Sequence, residues 1–150
     1  MKKLFIAIAI ICCATVSAQE KEDKELKKSA VPQVVKDEFN KEFPGKKAKW
    51  ENENGGYEAG FKINGTDASA IYDKKGHRKE LEIDMKVSEL PQNVIAYVKK
   101  NYPSNKIKEA AKITDDKNVI NYEAEITKDA KSYDLLFDAD GKFIKIALGD

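Results

Sequence analysis

The stretch LPQNVIAYVKKNYP, Leu90–Pro103, decides the fold, because the chain contains it twice. Val31–Pro44 reads VPQVVKDEFNKEFP, at an offset of 59. Both copies open apolar-Pro-Gln and close aromatic-Pro. Between those ends the apolar residues recur at spacings of three and four, the period of a helix with one buried face. Val31, Val34, Val35, Phe39 and Phe43 make the first stripe, and Leu90, Val94, Val98 and Tyr102 the second. Ser29 and Ser88 stand at capping distance. Pro32 and Pro91 suit a first turn, where a missing N–H costs little, and Pro44-Gly45 and Pro103 stop the helices.

The residues after each helix also repeat. Lys46–Glu51 alternates, with Ala48 and Trp50 on one side, and Asn52–Gly56 is a turn. Tyr57–Ile63 then points Tyr57, Ala59, Phe61 and Ile63 to one face. Asn64-Gly65 is a strong hairpin signal, since both residues tolerate positive φ. Thr66–Asp73 returns with Ala68, Ala70 and Tyr72 inward, and His77–Met85 comes next with Leu81, Ile83 and Met85 inward. After the second helix the offset becomes 65. Tyr122-Glu123-Ala124 matches Tyr57-Glu58-Ala59, Phe137-Asp138 matches Tyr72-Asp73, and Gly141 matches Gly76. The six extra residues lengthen the first hairpin of the second unit, turning at Asp115–Asn118.

A lone helix cannot bury its stripe, and neither can a four-stranded sheet with one apolar face; packing one on the other buries both. The expected fold is α+β. It is a tandem repeat of two αββββ units forming an antiparallel sheet of about eight strands, with two helices on one face. Residues 29–87 make the first unit and residues 88–150 the second.

The N-terminal residues read separately. Lys2-Lys3, the apolar run Leu4–Cys13 and Val16-Ser17-Ala18 have the pattern of a secretory signal peptide over residues 1–18. Cys12 and Cys13 lack the small preceding residue of a lipid-attachment site. Residues 19–28 are a charged linker with Leu26 as the one apolar residue of EKEDKELKK. With that signal removed, no cysteine remains and the formal net charge moves from +1 to −1. Such a balance favours neither nucleic acid nor stable membrane insertion, and no cofactor is expected.

The chemistry-bearing residues are sparse. His77 is the one histidine, too few for an imidazole metal site. Asp138-Ala-Asp140-Gly141 resembles the start of a calcium loop, but its glycine falls too early and the distal Glu is missing, so it reads as a turn. Asn64-Gly65-Thr66 fits a glycosylation sequon but reads as the hairpin turn. The serines lack a nucleophile elbow. Glu80, Glu82, Asp84, Glu123 and Glu125 sit at strand spacing on the outward face, where solvation is the default. Among outward positions, Ile71, Leu136 and Phe143 are not charged, and Arg78 matches Phe143. These four residues are the candidate partner-binding set; core placement through a shifted register is the bland alternative. Trp50 shares a face with Ala48 and is expected in the core.

The run of apolar-Pro, helix, aromatic-Pro, Tyr-Glu-Ala and apolar-aromatic-Asp-x-x-Gly resembles the PepSY-like family of secreted bacterial proteins, over about residues 29–149. That family is similar in fold to the beta-lactamase inhibitory protein. The resemblance implies a periplasmic or secreted location, as in Bacteroidetes-type Gram-negative bacteria. It also implies a protein or peptide partner met on the open face of the sheet, since the inhibitor holds its target there. Inhibition itself does not carry over, because this chain lacks the inhibitor's disulfides. The expectation is a non-enzymatic binding module, with an envelope structural or stress-related protein as the alternative.

Overall fold

The structure, a computed structural model, describes residues 30–149. The signal-peptide and linker readings therefore lie outside the described residues. Helix α1 (Gln33–Glu42) leads into β1 (Lys49–Glu53), β2 (Gly56–Ile63), β3 (Thr66–Tyr72) and β4 (Arg78–Asp84). A short 3-10 turn, Val87–Glu89, opens the second half. Helix α2 (Gln92–Asn101) comes next, then β5 (Ile107–Asp115), β6 (Ile120–Lys128), β7 (Lys131–Asp138) and β8 (Phe143–Leu148). The strands form one eight-stranded sheet in the order β1 to β8, antiparallel throughout. The two halves thus share one continuous sheet, joined at β4–β5 with Glu82 opposite Ile113. β5 has nine residues against five in β1, so the longer first hairpin of the second half is real.

Both helices lie on the same face, and each half has its own core. Val31, Val35 and Phe39 of the first half meet Trp50, Ala59, Phe61, Ala70 and Tyr72. Leu90, Val94 and Val98 meet Ala124, Ile126, Leu135 and Phe137. Each fully buried side chain of this size contributes about 2 kcal/mol. Phe39 anchors the first core, with its ring centroid 5.1 Å from Phe61 and 5.5 Å from Trp50, both edge-on. Trp50 is a core residue, 3% exposed. Val34 leaves the stripe and is half-exposed, because it lies on the flank of α1 above the turn at Gly76.

Pro32 and Pro91 are the N-cap residues, without side-chain caps. Ser88 lies within the 3-10 turn, where the Lys86 N–H donates to Glu89 Oε2 at 3.0 Å. Asn64 and Gly65 both take positive φ, 52° and 89°, as the β2–β3 hairpin requires. Three other turns share one device, in which an aspartate accepts N–H bonds from residues two and four further on. Asp73 does so toward Lys75 and His77, Asp115 toward Lys117 and Val119, and Asp138 toward Asp140 and Lys142. Asp138 therefore serves a turn through its Oδ1.

Two β-bulges at equivalent places correct the face of two residues. Between β3 and β4, Ile71 pairs with Glu80, but Tyr72 pairs with Arg78, so Lys79 is the extra residue. Between β7 and β8, Leu136 pairs with Lys145, but Phe137 pairs with Phe143, so Ile144 is the extra residue. A bulge inserts one residue into one strand, which reverses the alternation beyond it. Arg78 and Phe143 consequently face the helices and not the open side. Arg78 Nε donates to Glu42 of α1 at 3.2 Å. Phe143 stacks on Tyr97 of α2, with centroids 4.7 Å apart and planes 8° from parallel.

Candidate functional site

The open face carries separate apolar residues, Ile71, Ile113, Ala111 and Leu136, inside a field of carboxylates. Cross-strand rows place them. One runs Glu58, Ile71, Glu80, Asp115; the next Gly60, Ser69, Glu82, Ile113, Asn121; the third Asp84, Ala111, Glu123, Leu136, Lys145. Ile71 and Leu136, equivalent in the two halves, both point to this face. Ile71 is half-buried and Leu136 is 4% exposed. Of the four sequence-derived candidates, the fold places these two on the open face and turns Arg78 and Phe143 away from it.

Most acids of this face are buried, Asp84 being an exposed exception, which corrects the expectation of a solvated surface. Glu123 is 0% exposed, and Glu58, Glu80, Glu82 and Asp134 are buried as well. Both helices lie on the other side, so the cover comes from neighbouring side chains of a wide twisted sheet. Neither carboxylate oxygen of Glu123 has a hydrogen-bond partner among the described residues. At open-face strand positions the cations are few: Lys49, Lys62 and Lys145, and Lys62 already bonds Asp67 at 2.8 Å.

Loss of solvent and mutual repulsion disfavour ionisation here. Burial pushes the Glu80 carboxyl up to about 7; Lys145 opposes that shift, while Asp115 and Glu53 add to it. Burial also drives Glu82 and Glu123 well above the usual carboxylate range, reinforced for Glu82 by Glu80, Asp84 and Glu58. For Glu123 the reinforcing charges are Glu82, Asp134, Glu80 and Glu125. The face thus holds three carboxyl groups, Glu80, Glu82 and Glu123, whose ionisation is disfavoured by burial and by one another.

Other chemistry is muted. His77 Nδ1 lies 3.0 Å from Asp73 Oδ2 beside its turn, and the ring is mostly exposed. The Ser132 hydroxyl donates to Glu125 at 3.1 Å. Among the described residues, no group of three His, Cys, Asp or Glu side chains is spaced to hold a metal ion. A cleft of about 970 Å³ opens beside the β4–β5 junction, with Phe61, Ala68, Met85 and Ala110 among its apolar lining and several lysines around it.

Sequence reasoning missed Glu123, Glu82 and Ile113 as site residues. A signal existed in Leu135-Leu136-Phe137 and Ala110-Ala111, which break the alternation. A continuous apolar run marks a strand buried on both faces.

The family profile described as "Putative beta-lactamase-inhibitor-like, PepSY-like" matches residues 18–77 and again residues 55–145. No curated protein matches the sequence. A protein described as a "putative periplasmic" protein, from Bacteroides eggerthii DSM 20697, superimposes with a TM-score of 0.70 at 16% identity, covering 79% of this chain and 88% of its own. A DUF2874 family protein from Bacteroides uniformis ATCC 8492 gives 0.69 at 20% identity, with 78% and 88% covered. A BLIP-like protein from Bacteroides fragilis NCTC 9343 gives 0.62 at 17% identity, with 78% and 85% covered. These likenesses are of fold. With two overlapping profile matches that together span most of the chain, the protein belongs to the PepSY-like, beta-lactamase-inhibitor-like family.

Proposed function

We propose that this chain is a periplasmic or secreted, non-enzymatic binding module that engages a protein or peptide through the open face of its sheet. The observation that carries the reading is the equivalent pair Ile71 and Leu136. Two equivalent apolar residues, one from each half, lie on the face that no helix covers, framed by carboxylates. Apolar contacts set among charged groups suit a partner surface. Support for the location comes from the N-terminal signal pattern and from neighbours described as periplasmic. Among the described residues no helix is long and apolar enough to cross a membrane. On this reading residues 29–87 and 88–150 act as one binding surface built from two units, and inhibition of an enzyme is one form the binding takes.

One observation favours a second reading. Leu136 and Glu123 are covered by their own neighbours, as in a face that serves stability alone. An envelope structural protein without a partner would have such a face. Affinity capture from the native envelope separates the two, comparing the parent with Ile71→Asn, each checked for folding by circular dichroism. The binding reading expects one stoichiometric partner held by the parent and lost by the folded variant. Retention of the same proteins by both overturns it.

A further inference from the structure

The geometry points to a cationic partner segment: the open face receives lysine or arginine side chains from an extended chain, their alkyl stems on Ile71 and their charged heads among Glu80, Glu82, Glu123 and Glu125. This rests on the binding reading above and names the chemistry of the partner.

Glu123 carries the argument. It is 0% exposed, and both of its oxygens lack a hydrogen-bond partner among the described residues. Buried carboxylates in folded proteins are paired with cations or hydrogen-bonded, because an unpaired charge away from water is strongly unfavourable. Here the surroundings are more acids: Glu82, Asp134, Glu80 and Glu125 all act on Glu123 with the same sign. Lys145, opposite Leu136 on β8, is the cation that acts on Glu80. A strand pair carrying this much like charge is a template for the opposite sign.

Access and shape favour a peptide over an ion. Glu80, Glu82 and Glu125 keep 6%, 4% and 9% exposure, so they border solvent. The acids stand on β4 and β6, on either side of β5, an inter-strand spacing of about 5 Å each. No group of three His, Cys, Asp or Glu side chains among the described residues is spaced to hold a metal ion. Lysine and arginine stems are apolar, so the half-buried Ile71 suits them as the carboxylates suit their heads.

The test is calorimetric titration of the purified chain at pH 8 and low salt with an octapeptide of alternating leucine and lysine. A leucine–glutamate octapeptide and calcium chloride are titrated alongside. The expected result is saturable binding of the lysine peptide only. Each of Glu82→Gln and Glu123→Gln should weaken it about tenfold, the equivalent of ~1.4 kcal/mol per lost charge pair. Both replacements remove a buried group whose ionisation costs stability as pH rises, so their melting temperatures at pH 8 should rise, which separates lost binding from lost folding. Unchanged peptide affinity in both variants overturns the proposal. So does calcium binding that Glu123→Gln abolishes, which would make the cluster a metal site. If the lysine peptide fails to bind while an envelope partner is still lost in Ile71→Asn, the cationic chemistry falls and the binding module stands. If both fail, the open face is structural.

Discussion

The Tyr72 hydroxyl donates a 2.8 Å hydrogen bond to Glu42 Oε2, tying the end of β3 to α1. The same carboxylate accepts from Arg78 Nε, so one helical acid holds two strands. At the equivalent place in the second half stand Phe137 and Phe143, packed with Tyr97 at 5.4 and 4.7 Å. One half closes this corner with polar bonds and the other with rings. Burial and the Glu42 bond push the Tyr72 hydroxyl pKa up, so it stays protonated as the donor.

Tyr72→Phe should therefore cost about 1 kcal/mol, since the ring stays and one bond goes. Glu42→Ala should cost more, about 2 kcal/mol, because it leaves both Tyr72 and Arg78 without that acceptor. Urea denaturation of both variants checks the order. Equal losses would mean that Glu42 does not hold both strands.

Phe143→Ala should destabilise by about 3 kcal/mol, as expected for removing a packed aromatic ring. Ile144→Ser, at the adjacent half-exposed bulge residue, should cost about 0.5 kcal/mol or less. The reverse order of melting temperatures would put Phe143 on the open side and contradict the bulge.

Stability should fall as pH rises from 5 to 8. The Glu80 carboxyl has a folded pKa of about 7, above its ordinary 4.5, so the folded chain binds the extra proton. Its contribution is fully present below about 4.5 and is lost as pH passes through about 7, with a span of roughly 3 kcal/mol. The facing groups are Asp115 and Glu53, which raise the value, and Lys145, which lowers it. Glu82 and Glu123 shift in the same direction and add to the slope. Glu80→Gln should raise stability at pH 8 and flatten the profile. Thermal melts across this range decide it, and a profile that rises with pH would contradict the buried cluster.

Ala130→Gly should stabilise the chain by about 1 kcal/mol. Ala130 holds φ at 61° in the β6–β7 hairpin, where the first half has Gly65 at 89°. An L-residue with a Cβ is strained there by about 1–2 kcal/mol, offset in part by the greater freedom of glycine when unfolded. The melting temperature should rise by about 3 °C. Gly56→Ala should do the opposite, since its Cβ would sit 2.3 Å from the Tyr72 carbonyl oxygen.

The doubled stretch around Pro91 and Pro32 made the repeat, the helices and the helix-facing residues of the strands legible. Val35, Phe39, Val94 and Val98 sit where their spacing put them, as do Ala59, Phe61 and Tyr72. The faces of Arg78 and Phe143 were not legible, because one bulged residue leaves no mark in composition yet reverses everything after it. The burial of Glu123 was hidden for another reason. Alternation tells which face a residue takes, but the twist and width of eight strands decide whether that face is wet. Alternation alone puts Ile71 and Leu136 on the correct side.

The order of the strands has a mechanical consequence. β1 and β8 form opposite edges of the sheet, and every strand is bonded to its neighbour in sequence. Tension applied between residues 49 and 148 pulls across the strands, loading the inter-strand bonds one after another and never in parallel. The sheet should peel like a zipper at low force, a hairpin at a time, with the β4–β5 junction marking the pause between its two halves.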